Sequence, residues 1–591
     1  MKPIYIIVFI INTLNLSAQT TLWQRNLPSS AQDFLANMTS TIDRQILLSG
    51  SSIKSDRQQA VGSKQNAGYD YHIVKLDQRG NPVWEKYFGG SRHDYLAAST
   101  ATKEGGFLVA GTSFSNKSGD KLENNLGGSD VWILRLDENG SEIWQKTLGT
   151  KSNDEASAVV QAMDETFFVA GNINSNKELF GSKDVFVSKL DQNGNLVQTT
   201  ILGGSGLDEV ADMMPTTDGG AILAVYSVNS SDSKFKVQNS LASKFNVQNS
   251  RLSSDKNTNS GKVSNLLEFM SPESRIPQLE TRNIVRLSTN ASLRTQFIEA
   301  SNPEPFDFAQ GDNGDYLIVK LDKNAEIEWQ KTFGGTGDDR PKKISLAENG
   351  YIISGESRSN SSGNKTQNIE DGTDVWVIYL DKNGDEIWQK NYNFGGRDVA
   401  MSLSVINGRG ESHSPNESNI KGILIGGYTQ AEEKIKKDDE KFWMLCIDSE
   451  GKEMWRKFVE GNEKKREERL VSARLQGDGT YLLAGTSADE LGEEHWKILK
   501  LGDSDLENMI DNQPLAVYPN PVGDYCYVEL RDTSFEVRDV EEFSIEIYDM
   551  SGKKLQAVKT KNAVTKIDTS ALPQGVYIVT ANMKSTKIVK K

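Results

Sequence analysis

The chain has 591 residues, a formal net charge of −15 and a pI near 5.1, which argues against a general affinity for nucleic-acid phosphates. Its length exceeds what one ordinary core organises, so we expect a repeat array or several domains. The two cysteines, Cys446 and Cys526, are too few for a disulfide framework or a zinc-type cluster, so we predict no structural metal.

The chain opens with one Lys, an apolar run and then small residues, the order typical of a secretory signal peptide. We predict that residues 1–18 form this peptide, with cleavage near Ala18. No later segment approaches the roughly 18 uninterrupted apolar residues of a spanning helix. We therefore expect no transmembrane segment in the mature chain.

A repeated sequence motif dominates residues 20–501. Its clearest copy, DVWILRLDENGSEIWQKTLG (130–149), predicts a strand that is apolar on both faces, a D-x-N-G hairpin turn and a returning strand. A strand of small residues (156–162) and the segment TFFVAGN (166–172) follow. Each repeat thus predicts four short antiparallel strands.

The core of the repeat is L-D-x-x-G-x-x-x-W. It recurs in full or weakened form at Leu76–Trp84, Leu136–Trp144, Leu190–Gln198 (Trp lost), Leu321–Trp329 (Gly replaced by Ala325), Leu380–Trp388 and Ile447–Trp455. The last opening strand (494–501) lacks a partner downstream, whereas TTLWQRNL (20–27) resembles a second half without a first. Six whole repeats and two complementary halves predict a seven-bladed β-propeller whose N-terminal strand completes the last blade.

This repeat is similar to that of quinoprotein-like propellers over about residues 20–501. The resemblance implies that segments of the 131–148 type form the two outer strands of each blade. It also implies that the strands of small residues line the axis.

One connection is far longer than the others. Residues 228–311 are rich in Ser and Asn, lack sustained periodicity and contain a near-duplication, SKFKVQNS (233–240) and SKFNVQNS (243–250). We predict that this insert is mostly disordered.

Because consecutive strands run antiparallel, successive loops lie on opposite faces of the predicted propeller. The D-x-N-G and T-x-D-G-G turns share one face and are short, whereas the loops on the other vary in length, and we call the latter the variable-loop face. A recurring carboxylate is also predicted on this face, in a partial ring: Asp94, Asp154, Asp208, Asp338 with Asp339, and Asp398. These aspartates either fix their own loops or form a ligand site.

No catalytic motif stands out. The four histidines are not paired at metal-ligand spacing, and G-x-S-x-G, the P-loop and an adjacent Cys pair are absent from the sequence. We predict no cofactor and favour a binding or structural role, with a glycan or a protein as ligand on the variable-loop face. A propeller hydrolase or lyase acting on polysaccharide and a quinone-dependent oxidoreductase remain alternatives.

The pattern changes after Leu501. We predict a polar linker (502–514) and then a small antiparallel β-sandwich (515–591). The segment resembles the type A C-terminal sorting domain of the type IX secretion system of Bacteroidetes. The resemblance rests on Tyr518, Pro519, Asn520 and Pro521, on Gly552 with Lys553, and on Gly575 with Tyr577. It implies recognition by the outer-membrane secretion machinery after periplasmic transit, and a secreted or surface location.

Overall fold

The computed structural model describes residues 20–27, 33–41, 43–53, 68–174, 180–228, 236–240, 246–250, 313–407, 420–430, 441–459, 467–488, 494–510, 515–530 and 542–591. The predicted signal peptide lies outside these ranges, as does most of the long insert. Within them the chain consists of β-strands and one short α-helix, α1 (Ser504–Met509).

The strands of residues 20–502 include seven antiparallel groups of four, which we call blades 1 to 7, and one parallel pair of residues, Lys183↔Leu207, joins blades 3 and 4 into a single sheet. The innermost strands are β2 (Asp33–Ser40), β6 (Asp94–Ala101), β10 (Asn153–Gln161), β14 (Leu207–Pro215), β20 (Asp339–Ala347), β24 (Arg397–Asn407) and β28 (Glu467–Leu475). The second strands are β3 (Ile46–Ser52), β7 (Phe107–Ser113), β11 (Phe167–Asn174), β15 (Ala221–Val228), β21 (Gly350–Ser357), β25 (Ile420–Gln430) and β29 (Tyr481–Ala488).

The outer half of each blade is a hairpin of a third and a fourth strand. The third strands are β4 (Asp70–Leu76), β8 (Asp130–Leu136), β12 (Lys183–Leu190), β18 (Asp315–Leu321), β22 (Asp374–Asp381), β26 (Lys441–Ile447) and β30 (Glu494–Gly502). The fourth strands are β5 (Pro82–Phe88), β9 (Glu142–Gly149), β13 (Leu196–Gly203), β19 (Ile327–Phe333), β23 (Glu386–Tyr392), β27 (Glu453–Val459) and, in blade 7, β1 (Thr20–Leu27).

The blades are arranged in a ring. Each innermost strand contacts the innermost strand of the next blade, and β28 contacts β2. Seven clusters of buried apolar side chains in the described part of the ring each span two neighbouring blades. The predicted all-β class, a β-propeller followed by an antiparallel sandwich, is therefore confirmed.

The ring is closed by the N-terminal strand. β1 pairs antiparallel with β30 from Thr20↔Gly502 to Leu27↔Trp496. Trp23 of β1 is 8% exposed and packs in one cluster with Trp496 of blade 7 and Leu35 of blade 1. The strand therefore supplies both the last edge of blade 7 and part of the core against blade 1.

The third strands explain why the repeat is apolar on both faces. Every residue of β8 is buried, and so is every residue of β4. A strand sandwiched between two neighbouring sheets has no solvated face, so alternation of polar and apolar residues is absent. Arg135, a charged residue near the end of β8, is buried too, and its Nη1 donates to the carbonyl oxygens of Phe107 and Leu136.

The Trp of the repeat joins one blade to the next. The indole N–H of Trp84 donates to the carbonyl of Glu138 in the D-x-N-G turn of blade 2, at 3.1 Å, and its ring covers Gly140 of that turn. The same pairing recurs for Trp144 with the Gln192 carbonyl and Gly194, Trp329 with the Lys382 carbonyl and Gly384, and Trp388 with the Ser449 carbonyl and Gly451. The motif therefore encodes a contact between blades, as well as a hairpin.

One boundary lacks both partners of this contact. Blade 3 has Gln198 where the Trp is expected, and the turn of blade 4 that faces it has Ala325 where the Gly is expected. Ala325 has a positive φ of 63° and is fully buried, and its carbonyl accepts a hydrogen bond from Thr200 Oγ1. Without an indole above the turn there is room for a methyl group, so the two departures from the motif belong together.

Two connections contain regular structure that the sequence analysis did not predict. In the insert 228–311, β16 (Lys236–Ser240) pairs with β13 and β17 (Asn246–Ser250) pairs with β9, whereas most of the insert, predicted to be mostly disordered, lies outside the described residues. The near-duplicated VQNS segments thus extend the outer edges of blades 3 and 2. Open edges offer unpaired backbone groups, which explains why a segment without apolar periodicity forms strands here.

The predicted linker (502–514) includes helix α1. Asp503 caps it by accepting hydrogen bonds from the backbone N–H groups of Asp505 and Leu506, and it pairs with Lys457 at 2.7 Å. Leu506 is fully buried in the cluster between blades 6 and 7, where Met509 also packs. The polar composition concealed the helix because only a few of its residues face the core.

The C-terminal sandwich has one sheet of β31 (Leu515–Tyr518), β32 (Tyr525–Leu530) and β35 (Val564–Asp568). The second sheet has the order β34 (Lys554–Thr560), β33 (Phe543–Asp549), β36 (Gly575–Ala581) and β37 (Lys584–Lys590). Their inner faces form a core of their own, which includes the buried Cys526.

The sandwich contacts the short-turn face of the propeller. Arg44, in the first turn of blade 1, forms an ion pair with the buried Glu529 and another with Asp478 at 2.6 Å. Gln78 exchanges two hydrogen bonds with the backbone of Val564, and the hydroxyl of Tyr525 donates to the carbonyl of Lys103 at 2.6 Å. These contacts with the sandwich come from the turns of blades 1 and 2, on the face opposite the variable-loop face.

We expect Gly384→Ala to lower the stability of the propeller. Gly384 has a φ of +82°, and a Cβ there would lie 2.8 Å from Cζ3 of Trp329. Overpacking and left-handed strain together should cost about 2–4 kcal/mol in the free energy of unfolding. Ala325→Gly is the matched control, because Gln198 replaces the indole there, and it should change stability by less than about 1 kcal/mol. Chemical denaturation of both variants measures the difference, and equal stabilities would contradict the contact.

Candidate functional site

The five predicted ring aspartates occupy equivalent positions on the variable-loop face. Each is fully buried and begins an innermost strand or lies next to its start. One carboxylate oxygen of each accepts a hydrogen bond from the backbone N–H four residues earlier, at 2.6–2.9 Å: Gly90 to Asp94, Thr150 to Asp154, Gly204 to Asp208, Gly335 to Asp339 and Phe394 to Asp398. These bonds fix the loop that enters each innermost strand.

A second aspartate lies 24 residues before each ring aspartate, at the third strand of the previous blade. The pair Asp130 and Asp154 shows the geometry: a Cβ added to Gly149 would lie 2.2 Å from Asp130 Oδ1 and 3.0 Å from Asp154 Oδ2. The backbone N–H of Asp154 also donates to the carbonyl of Ser129. The Gly that ends the fourth strand therefore makes room for two carboxyl groups at the boundary of two blades.

These carboxyl pairs favour protonation. Burial raises the pKa of Asp154 to about 7, helped by repulsion from Asp130 and opposed by the Thr150 N–H. Burial and the neighbouring Asp339 raise the pKa of Asp315 to about 8. Burial likewise raises the pKa of Asp398 to about 6. In the pair of Asp130 and Asp154 both side chains are fully buried, so a proton held between the two carboxyl groups joins blades 2 and 3 and keeps the oxygens away from solvent.

Blades 2 and 5 add a buried lysine to this arrangement. Lys121 is 1% exposed and donates to Ser113 Oγ and to the Ser115 carbonyl, between Asp94 and Asp130. Lys365 takes the same position near Asp339 and Asp374, and burial lowers the pKa of both amines to about 8. The loops that carry them, 111–130 and 355–374, share the spacing S-x-S-N-x-S-G-x-K-x-x-N. The buried lysines offset the carboxylates on either side.

The exposed side chains next to the ring aspartates differ from blade to blade. On blades 1 and 2 they form an aromatic platform, made of Phe34, Tyr69, His93, Tyr95 and Phe114. Neighbouring rings have centroids 5.3–6.3 Å apart, and His93 stacks on Tyr95 with an interplanar angle of 11°. Phe34 is 46% exposed and Phe114 is 37% exposed. Exposed aromatic rings that contact one another form a contiguous apolar patch, and such patches mark interaction sites, whereas single exposed apolar side chains do not.

The next arcs of the same face are charged. At blades 3 and 4, Lys183 bridges Glu155 at 3.1 Å and Glu209 at 2.8 Å. At blades 5 and 6, a cleft of about 220 Å³ is lined mainly by basic side chains, including Arg340, Arg358 and Arg397. The face therefore changes from aromatic to ion-paired to basic around the axis.

Sequence reasoning found the ring aspartates and missed the aromatic platform. Its members lie at the ends of β2, β4, β6 and β7, so no local motif contains more than two of them. His93 alone carries no signal in the sequence. The sequence signal that could have indicated the platform is the pair of residues that flank a ring aspartate, such as His93 and Tyr95 beside Asp94. These flanking side chains face outward because the aspartate between them faces inward.

Within the described ranges, no three His, Cys, Asp or Glu side chains are placed to hold a metal ion. The part of the chain that the structure describes contains no helix long and apolar enough to cross a membrane.

The residues of the predicted sorting motif hold the sandwich together. Asn520, between Pro519 and Pro521 and next to Tyr518, donates to the Lys587 carbonyl and accepts from the Val589 N–H, which ties the start of the domain to its last strand. The Tyr577 hydroxyl donates to the Pro573 carbonyl at 2.6 Å, just before β36 begins at Gly575.

The G-K turn of the motif has a different task. Gly552 has a φ of +84° and the Lys553 N–H donates to Asp549 Oδ1, so the two residues form the turn between β33 and β34.

We expect the propeller to be more stable at pH 5 than at pH 8. A carboxyl group whose pKa is raised on folding contributes stability below its unfolded pKa and loses it as pH rises through the folded pKa. For Asp154, with a folded pKa of about 7, the loss between pH 5 and 8 is about 3 kcal/mol. Asp154→Asn mimics the protonated acid and should flatten this pH dependence, as followed by chemical denaturation at several pH values. A variant with an unchanged pH profile would refute the shared-proton geometry; Asp191→Asn, in an exposed turn, is the control.

Comparison with solved structures returned matches of low similarity. They include a protein of unknown function from Dyadobacter fermentans (10% identity, TM-score 0.36, 82% of this chain and 99% of that one). The Pan2 WD40 domain of Neurospora crassa matches with 10% identity and a TM-score of 0.37, over 81% of this chain and 95% of its own. The β-propeller domain of the Trilobed protease from Pyrococcus furiosus matches with 7% identity and a TM-score of 0.35, over 79% and 94%. Identities this low transfer no function.

A search of curated proteins found no match to the chain. A family model described as the secretion system C-terminal sorting domain matches residues 516–591, which is the sandwich beginning in β31. The resemblance seen in the sequence is thereby confirmed. The chain is a β-propeller protein that carries, at residues 516–591, a C-terminal sorting domain of the type IX secretion system.

Proposed function

We propose that the chain is an exported binding protein whose propeller holds a glycan on the variable-loop face. The sorting domain delivers it through the outer-membrane secretion machinery after periplasmic transit, to the medium or to the cell surface. The family match at residues 516–591 supports the route. The docking of the sandwich on the short-turn face supports the choice of binding face, because it leaves the variable loops open to a ligand.

The aromatic platform carries the proposal. The face of an aromatic ring packs well against the C–H face of a pyranose ring, which removes apolar surface of both from water. Phe34 and Phe114 stand half exposed at the two ends of the platform, with Tyr69, His93 and Tyr95 between them. A row of rings at this spacing offers consecutive contacts to an extended saccharide.

A polysaccharide hydrolase or lyase is the alternative. Acid–base cleavage needs carboxyl groups that reach the scissile bond. Asp94, the ring aspartate nearest the platform in sequence, is fully buried and bonded to Gly90 N–H and Ser115 Oγ. This favours a binding role, and assays for newly released reducing ends during the binding experiment test the alternative directly.

We expect the platform residues to control binding to neutral polysaccharides. Affinity electrophoresis through gels that contain xylan, mannan or β-glucan should show that at least one retards the propeller. The double variant Phe34→Ala/Phe114→Ala should weaken that affinity at least tenfold, in line with about 1–3 kcal/mol for lost aromatic contacts. Phe458→Ala removes a phenylalanine of similar exposure (49%) from an outer strand and should bind as the wild type does. No retardation in any gel, or equal loss in both variants, would refute the proposal.

We expect a chain that ends at residue 510 to fold and to remain in the periplasm. This end point keeps α1, whose Leu506 is buried between blades 6 and 7, and removes the whole sorting domain. Fractionation of host cells that express the full and shortened chains, with protease resistance as the test of folding, measures the effect. Equal amounts of both outside the outer membrane would contradict the sorting role.

A further inference from the structure

The cleft at blades 5 and 6 contains more positive than negative charge. Four basic side chains line it, Arg340, Lys342, Arg358 and Arg397, together with the acids Asp338 and Glu356. The excess of two positive charges stands out because the whole chain has a net charge of −15. An acidic protein does not attract anions by its overall field, so this concentration of bases is a local feature.

Both acids already have partners. Asp338 accepts from Arg340 Nε and from the Tyr226 hydroxyl, each at 2.6 Å, and the Arg340 guanidinium lies 4.3 Å from the centre of the Tyr226 ring. The Glu356 side chain is 4% exposed and pairs with Lys342 at 3.0 Å and with Arg397 at 3.1 Å. These pairs hold Arg340 and Arg397 in fixed positions at the cleft.

Arg358 has no acid of its own. It is exposed, its backbone N–H donates to the Asp338 carbonyl, and its Nε donates to the buried Thr373 hydroxyl at 3.0 Å. Within the described ranges its two terminal Nη atoms have no hydrogen-bond acceptor. The Arg397 side chain is 40% exposed, and its Nε, a buried atom, also lacks an acceptor in those ranges. The cleft therefore combines a positioned guanidinium with N–H donors that are not used inside the protein.

We propose that this cleft binds the anionic group of an acidic saccharide, a carboxylate or a sulfate ester. Both groups present paired oxygens that match the fork of a guanidinium, and charge-assisted hydrogen bonds of this kind are about twice as strong as neutral ones. The inference rests on the proposed glycan-binding function and adds the substrate class. Blade order places the cleft across the axis from the aromatic platform, on the same face, so the two sites are independent.

The test uses three small probes at constant ionic strength: sodium glucuronate for the carboxylate, sodium sulfate for the sulfate group, and glucose as the uncharged control. Calorimetric titration of the full chain should detect at least one anionic probe and show at least tenfold weaker binding of glucose. Binding should fall as NaCl is raised, because the added ions screen the cleft. If neither anion binds more tightly than glucose, the proposal is overturned, and the preferred anion identifies the group.

Two variants locate the site. Arg358→Ala should weaken binding of the preferred anion at least tenfold, whereas Arg92→Ala removes an exposed arginine of the same face and should leave it unchanged. Equal affinity of Arg358→Ala and the wild type would overturn the assignment. Phe34→Ala/Phe114→Ala should retain the anion, since the platform lies elsewhere. If this double variant loses neutral polysaccharide binding but keeps anion binding, the result supports two separate sites. If the wild type binds the anion but no polysaccharide, the result refutes only the proposed function.

Discussion

The propeller depends on one requirement: a sheet that is apolar on both faces needs a neighbour on each side. The third strands of blades 1 and 2 are buried along their whole length and that of blade 5 in all but its last residue, so a row of blades with free ends would leave two apolar faces in water. Pairing of the N-terminal strand with β30 removes both ends at once. The tryptophans, glycines and paired aspartates of the repeat then act at the boundaries that this closure creates.

Each boundary between blades has two kinds of contact, one on each face of the propeller. On the short-turn side, an indole rests on the glycine of the next blade and donates to its turn, as Trp329 does with Gly384 and the Lys382 carbonyl. On the variable-loop side, two carboxyl groups meet beside a glycine, as Asp130 and Asp154 do beside Gly149. Both ends of each boundary are fixed by residues that face inward. Side chains that face outward between them are free to differ among blades, which permits an aromatic arc and a basic arc on one frame.

The sequence predicts the parts of this architecture that repeat. The sequence repeat and the antiparallel alternation of its strands predict the fold class, the strand order, the ring closure and the positions of the ring aspartates. The features it misses arise from single, long-range contacts. Helix α1 needs only Leu506 and Met509 to pack, the VQNS segments need only an open edge, and the platform needs residues from four strand ends. The joint loss of Trp at Gln198 and Gly at Ala325 was visible in the sequence, but its meaning requires knowing which blade follows which.

Closure by the N-terminal strand also sets the order in which the chain can fold. Thr20 pairs with Gly502, 482 residues later, so β1 remains without its partner until blade 7 has been synthesised. Contacts this distant in sequence form slowly, because the entropy of closing a long loop is lost before the contact contributes any free energy. Arg44 of blade 1, which pairs with Glu529 of the sorting domain, also pairs with Asp478 of blade 7. The side chains of Arg44 and Asp478 come together only after the ring has closed, so the arrangement in which Arg44 bridges Asp478 and Glu529 can form only on a closed propeller.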